Sequence, residues 1–411
     1  MSDLILMTIT GDDKPGVTAA VTRLLSPDDI DVLDIGQAVI HSYLSLSILL
    51  RLPGQADEIL QQLTTHVEDL GLTLTVASVS AQSYEDWVGL QGRSRFILTL
   101  LARRVKVQHV AAATKVIAEQ GLNIEAVSRL SGRVPLDDPA RHSKACIEFS
   151  LRGKPLDLPG FKTALMQIST DYGIDFAVQE DNIYRRNRRL ICFDMDSTLI
   201  ETEVIDELAE LAGSGAEVKA ITASAMAGEI DFKVSLESRV KTLAGLDESV
   251  LGDVAARLPL MEGVEHLFLM LRKLGYKTAI LSGGFSYFGK ALQQKLGVDY
   301  VFANELEIEN GRLTGRVLHP VVDAERKALL LRELAQKEGI SLQQVIAVGD
   351  GANDLAMLNI AGMGIAFRAK PLVQQSAEQA ISTLGLDSIL YLMGIRDRDA
   401  AHLGIDSQAN T

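Results

Sequence analysis

Two aspartates set two residues apart, Asp194 and Asp196, close the apolar run of RRLICFDMDSTLIETE, with Ser197 and Thr198 directly behind them. Alternate residues of a β-strand share a face, so the end of such a strand can aim both carboxylates the same way. Taken alone, an acidic pair commonly does no more than cap a helix. Two further apolar runs end in groups that suit the same chemistry. KTAILSGG ends in Ser282, Gly283 and Gly284, a hydroxyl beside flexible backbone N–H groups, which is the make-up of a phosphate cradle. QQVIAVGDGANDLAML passes through Asp350, Asn353 and Asp354. Four apart, the two aspartates can share a face on the first turn of a helix, and the glycines between let the backbone wrap closely around an ion. A set of hard oxygen ligands without histidine or cysteine points to Mg2+ and not to zinc, with Asp194, Asp350 and Asp354 supplying the charge. Lys327, in DAERKALLLRELAQKEG, falls near the start of an amphipathic helix. On its own it reads as a solvated surface lysine; beside a phosphate and two carboxylates it would neutralise both.

The elements that must position these groups are legible as a pattern. From residue 190 onward the apolar runs LICFDMD, KTAILSGG, YVFANEL, QQVIAVGD and GMGIAF alternate with helix-like stretches, which predicts a Rossmann-like parallel sheet wrapped by helices, an α/β fold. Two departures stand out. Residues 204 to about 262 are helical in pattern with no strand, an insertion placed where it could cap the site. ELEIENGRLTGRV alternates about Asn310 and Gly311 and predicts a hairpin with a type I′ turn. Upstream, the first 180 or so residues form an imperfect repeat. Each unit reads strand, helix, strand, strand, helix, strand, the ferredoxin-like α+β order. The polar stretch EDNIYRRNRR separates the repeat from the α/β part. The expected domains are therefore 1–88, 92–181, 186–396 and a loosely ordered polar tail at 397–411.

Bulk properties narrow the partners. A chain of 411 residues exceeds one ordinary core. Its 47% apolar and 23% charged residues are those of a folded, soluble protein. A formal charge of −14 argues against nucleic acid or an anionic membrane as the main partner. Cys146 and Cys192, the only cysteines, support neither a disulfide framework nor a zinc cluster, and a cytoplasmic setting is expected. MSDLILMTITGDD lacks a basic n-region and a cleavage site, and reads as a first strand.

DMDSTL at 194–199, the serine of LSGG, Lys327 and GDGANDLAML at 349–358 resemble, in order and strand placement, the four motifs of the haloacid dehalogenase-like (HAD) phosphatases. The helical insertion resembles the cap of the phosphoserine phosphatase branch. The two ferredoxin-like units, with DDKPGV at 12–17, resemble ACT domains, small-molecule sensing modules frequent in amino-acid metabolism. The combination is similar to the long, regulated form of that branch found in actinobacteria.

This resemblance implies Mg2+-dependent hydrolysis of O-phospho-L-serine. Asp194 would be the nucleophile, and Asp196 the proton carrier, with a pKa raised by burial or neighbouring carboxylates. The metal would be held by Asp194, Asp350, Asp354 and the main-chain carbonyl of Asp196. Ser282, Lys327 and the backbone N–H groups of Met195 and Gly283 would hold the phosphoryl oxygens, with Asn353 close by. Glu203 would meet the substrate ammonium and Arg239 its carboxylate, since a guanidinium fork binds a carboxylate bidentately. Met226 and Phe232 would form an apolar lid. L-serine is the effector implied, near Gly16, with Lys106 standing where the second unit would have its turn glycine, and a homodimer through residues 1–180 is implied too. Two other readings remain: a different small phosphomonoester as substrate, or an amino-acid sensor with an inactive phosphatase half.

Overall fold

The computed structural model describes residues 3–26, 30–53, 57–133, 136, 144–226 and 229–403. The chain divides into two compact units, Met1–Arg93 and Ser94–Thr411. No helix among the described residues is long and apolar enough to cross a membrane.

In the first unit, strands β1 (Asp3–Asp12), β2 (Asp31–Ile40), β3 (Tyr43–Leu52) and β4 (Thr73–Val79) form an antiparallel sheet in the order β2-β3-β1-β4. Helices Val17–Leu25 and Asp57–Asp69 complete the expected ferredoxin-like order. The alternation of β3 shows why it folds this way: Leu44, Leu46, Ile48, Leu50 and Leu52 are buried in the core, while the residues between them are exposed or half-buried. A further helix, Ala81–Val88, is capped by the Ser80 hydroxyl, which accepts from the Ser83 N–H.

The second unit opens with the same module: β5 (Arg95–Ala102), β6 (Asn123–Arg129), β7 (Ala145–Arg152) and β8 (Asp175–Glu180), ordered β6-β7-β5-β8, with helices Val107–Glu119 and Leu158–Tyr172. A seven-stranded sheet follows, made of β9 (Leu190–Phe193), β10 (Lys277–Phe285), β11 (Tyr300–Glu309), β12 (Arg312–Leu318), β13 (Val345–Gly349), β14 (Met363–Phe367) and β15 (Gln379–Ile381), in the order β12-β11-β10-β9-β13-β14-β15. Every residue of β9, β13 and β14 is buried, as strands covered by helices on both faces must be. β9 lies at the centre, parallel to β10 and β13, with Phe193 in register with Ile280 and Val348. The three motif-bearing strands therefore end side by side, at the edge where open α/β sheets bind ligands.

The described residues of the insertion hold four helices, Val204–Ala212, Gly215–Met226, Phe232–Lys241 and Ser249–Arg257, and no strand. The hairpin of β11 and β12 turns on Asn310 (φ 51°) and Gly311 (φ 74°), both left-handed as a type I′ turn requires.

Three features differ from expectation. β15 is too short to be read as a strand, yet the Gln379 side chain pairs with both the N–H and the C=O of Val178 in β8, at 2.8 and 2.6 Å. Gln379 thereby joins the ferredoxin-like module to the catalytic sheet. The stretch expected as a loose tail begins with a helix, Asp397–His402. Asp397 accepts from the Gly132 N–H (2.6 Å) and the Tyr391 hydroxyl (2.7 Å), contacts that no local pattern announces. Finally, Asp350 and Asp354 do not share a helical turn: a 3-10 turn, Ala352–Asp354, separates Asp350 from the helix Leu355–Ile360.

Candidate active site

Asp194 is the residue after β9, and its N–H donates to the Val348 carbonyl of β13 at 2.9 Å. The chain then curls tightly. The N–H groups of Thr198, Leu199 and Ile200 all converge on the Met195 carbonyl, and Ser197 adopts φ 56°. This curl places Asp194 and Asp196 beside each other at the sheet edge.

Lys327 is not a surface lysine. It is fully buried, with Nζ 2.8 Å from Asp194 Oδ1 and 2.7 Å from Asp354 Oδ1. Burial works against its charge, but Asp194 and Asp354 outweigh that and raise its pKa above the ordinary lysine value. Asp354 accepts a second bond from the Gly351 N–H at 2.9 Å. Asp194, Asp350 and Asp354 each offer an oxygen within 4.8 Å of the others. Such crowding of like charges in a dry site is costly. Burial first, then Asp194 and Asp354, push Asp350 up to about 8. Asp354 is pushed up to about 6 by burial and Asp194 against the opposing pull of Lys327. One buried lysine does not neutralise three carboxylates, and the donor set is all hard oxygen. The residues therefore fit a divalent cation of the magnesium type. Asp354, with both oxygens already engaged, is less available as a direct ligand than Asp194 and Asp350.

The Asp196 carboxylate is not part of that group of three. Burial, then Glu203 and Asp194, hold its carboxyl well above the usual carboxylate range, despite a bond from the Val204 N–H at 3.2 Å. Ser282 is buried at the end of β10, and its hydroxyl accepts from the Gly284 N–H at 2.9 Å. Gly284 is required by space: a Cβ there would lie 2.3 Å from Asp196 Oδ2.

These groups line a cavity of about 520 Å3 between the sheet edge and the helical insertion. Glu203 opens onto it and accepts from the Ser197 hydroxyl at 3.0 Å. Its pKa is raised by the surrounding protein first, a rise that the Ser197 bond and Arg239 oppose. Arg239 shares the lining, and its Nε is buried without a partner among the described residues. Burial lowers its pKa, an effect that Glu203 and Asp206 oppose. Phe232, Gly283 and Asn353 line the cavity too, whereas Lys327 and Asp354 are fully buried and do not line it. Met226 ends its helix, and its side chain lies outside the described residues. Two further charged residues belong to the lining. Asp206 follows Glu203 by three on one helix, a spacing that could have revealed it. Lys370 reaches the cavity from beyond β14, and nothing local marks it.

Gly16 takes φ 93° at the start of helix Val17–Leu25, beside a groove of about 410 Å3 lined by Lys14, Thr18 and Gln37. Lys106 takes an ordinary extended φ of −114°, and its N–H donates to His109 Nδ1 at 3.3 Å, so that turn has no need of glycine.

Residues 188–362 match the family profile of the haloacid dehalogenase-like hydrolases, and residues 3–77 match the ACT domain. A phosphoserine phosphatase of Streptomyces coelicolor is 40% identical over 393 residues, spanning 95% of this chain and 92% of that protein. Phosphoserine phosphatase SerB2 of Mycobacterium tuberculosis is 36% identical, spanning 95% and 93%. Among solved structures, a probable phosphoserine phosphatase from Vibrio cholerae superposes with a TM-score of 0.58 at 32% identity, over 77% of this chain and 90% of that one. A HAD family hydrolase from Salmonella enterica serovar Typhi reaches 0.62 at 31% identity, over 72% and 98%.

Proposed function

The chain belongs to the phosphoserine phosphatases of the haloacid dehalogenase-like hydrolases, and on that footing we propose that it hydrolyses O-phospho-L-serine to L-serine and phosphate through an aspartyl-phosphate on Asp194. The observation that carries this reading is the pairing in one cavity of Glu203 and Arg239, which suit an amino acid's ammonium and carboxylate, with Asp194, Asp196 and Ser282, which suit its phosphate.

A phosphomonoester dianion repels a carboxylate, so attack by Asp194 needs positive charge nearby. Lys327, bonded to Asp194, supplies part of it. Asp194, Asp350, Asp354 and the Asp196 carbonyl would hold Mg2+, which supplies Lewis-acid neutralisation of the phosphoryl oxygens when bound. Asp194 Oδ attacks phosphorus in line, and the bond from phosphorus to the serine oxygen breaks. Asp196, whose pKa is raised by burial, Glu203 and Asp194, gives that oxygen its proton. The Asp196 carboxylate then takes a proton from the water that attacks the aspartyl-phosphate, and phosphate leaves with Asp194 and Asp196 both restored. The Ser282 hydroxyl and the N–H groups of Met195 and Gly283 hold the phosphoryl oxygens, and Asn353 flanks them. The buried, unpartnered Nε of Arg239 is a donor suited to the substrate carboxylate. Phe232 lines the cavity on the cap side and would exclude water there, a role expected of Met226 as well.

L-serine is the proposed effector, bound near Gly16 and acting through the N-terminal module, with the protein a homodimer through residues 1–180. The buried free thiols of Cys146 and Cys192 accord with a cytoplasmic enzyme of serine biosynthesis. A panel of phosphorylated metabolites, assayed for phosphate release with and without Mg2+ and L-serine, tests the whole reading. Phosphoserine should lead the panel, and preference for another phosphomonoester would overturn the substrate assignment.

A further inference from the structure

Five carboxylates line the cavity: Asp194, Asp196, Glu203, Asp206 and Asp350. The substrate proposed above brings a phosphate and a carboxylate against one ammonium. Among the described residues, Arg239 and Lys370 are the cationic side chains on that lining. Arg239 is partly buried in the cap, whereas Lys370 is exposed and approaches from the sheet side. A cation at the opening of an acidic cavity concentrates an anionic ligand and offsets like-charge repulsion as it enters.

The position of Lys370 is fixed from both directions along the chain. Its own carbonyl accepts from the N–H groups of Val373 and Gln374, at 2.9 and 3.0 Å, and Pro371 starts the next helix, Pro371–Ser376. Two residues before it, Arg368 takes a left-handed φ of 45°, and its N–H donates to the Ile381 carbonyl at 2.7 Å. The Arg368 guanidinium donates to Glu262 Oε2 at 2.8 Å. The same carboxylate is gripped bidentately by Arg103, at 2.6 and 2.5 Å. Arg103 follows β5 of the ferredoxin-like module, so a shared carboxylate ties the module to Arg368, two residues before Lys370. Hydrogen bonding from Arg103 holds the Glu262 carboxyl below its usual range. Glu262 also follows a segment hydrogen-bonded to the active-site loop. Its neighbour Met261 donates to the Leu199 carbonyl at 2.9 Å, and Pro259 accepts from the Glu201 N–H at 3.0 Å, tying this segment to the loop that carries Asp196 and Glu203.

We propose that Lys370 is a substrate-binding residue for the negative charge of the substrate, and that the Arg103–Glu262–Arg368 triad is a positioning device by which the second ferredoxin-like module sets it in place. This rests on the phosphoserine reading above. The charge of Lys370 is partly solvated, so its contribution is that of a semi-exposed ion pair, about two- to fivefold in affinity.

The test is steady-state kinetics on the full chain. Turnover of phosphoserine by the unsubstituted protein is read first, because its absence would overturn the phosphoserine reading and this inference together. With turnover present, Lys370→Gln should raise KM for phosphoserine about two- to fivefold with a smaller effect on kcat. Lys370→Arg should restore KM, and added salt should raise KM less in Lys370→Gln than in the unsubstituted protein. Arg103→Met should raise KM in the same direction, and combining it with Lys370→Gln should add little, since both act through one charge. A KM for Lys370→Gln within twofold of the unsubstituted value overturns the binding role while leaving the phosphoserine reading standing. An Arg103→Met protein that melts earlier with KM unmoved overturns the positioning role.

Discussion

Replacing Lys327 with methionine removes the ammonium while keeping a chain of similar length in a fully buried site. Two carboxylate oxygens, at 2.8 and 2.7 Å, lose their counter-ion together. Breaking a buried pair by deleting one member costs about 3–5 kcal/mol, because the remaining charge must stay unpaired or take up a proton. The cost should grow with pH. In the native protein the raised pKa of Lys327 keeps its charge, and its stabilisation, constant across neutral pH, to be lost only as pH rises beyond the ordinary lysine range. In the variant, Asp354, already pushed up to about 6 with the lysine present, can escape the penalty at pH 5 by protonation but not at pH 8. Denaturant melts of metal-free Lys327→Met should therefore show a larger loss at pH 8 than at pH 5, and Mg2+ should recover part of it. Phosphate release should fall by roughly 10²–10³ or more in kcat, the scale of losing one preorganised electrostatic group. A metal-free variant within about 1 kcal/mol of the native protein at pH 8, together with a kcat in Mg2+ within tenfold of the native value, would refute the reasoning, since both quantities derive from one buried contact.

Three further outcomes rest on the same geometry. With Asp350 raised to about 8 and Asp354 to about 6, above ordinary carboxylate values, the metal-free protein should lose stability as pH rises toward 8. Mg2+ should oppose this and bind more tightly at higher pH; thermal melts in chelator and in Mg2+ from pH 5 to 8.5 check it, and Asp350→Asn should flatten the metal-free slope. Arg239→Ala should raise KM for phosphoserine about tenfold to a hundredfold, the worth of a charged hydrogen bond, and leave phenyl phosphate nearly untouched. Equal losses on both substrates would count against a carboxylate clamp. Gly284→Ala should fold, by circular dichroism, yet lose about tenfold or more in kcat, because its Cβ would displace the Asp196 carboxylate from 2.3 Å away.

The catalytic sheet was legible because strands buried on both faces must be apolar throughout, so LICF, VIAVG and MGIAF read directly as strands. Asp194 and Asp350 stand immediately past the ends of the first two, where such a sheet places its reactive groups. The Asn310–Gly311 hairpin was legible because few residues accept two left-handed positions in succession. Lys327 was legible as a candidate only from the company of the other motifs, since its helix pattern suits an exposed lysine and its burial depends on two carboxylates outside its own helix. Gln379 and Asp397 were opaque for a similar reason: each acts on the ferredoxin-like module more than 200 residues away in the chain. Lys370 carries no local mark either, because its neighbours in the cavity come from the other strand ends and the cap. Residue types at strand ends were thus readable, while pairings made by tertiary contact were not.

Rapid-quench trapping during phosphoserine turnover tests the assignment of Asp194 most directly. Phosphate should appear on Asp194, in peptide mapping by mass spectrometry, as an acyl phosphate that hydroxylamine cleaves, and Asp194→Asn should show neither label nor turnover. Turnover with phosphate on another side chain, or an active Asp194→Asn protein with deamidation excluded, would contradict it.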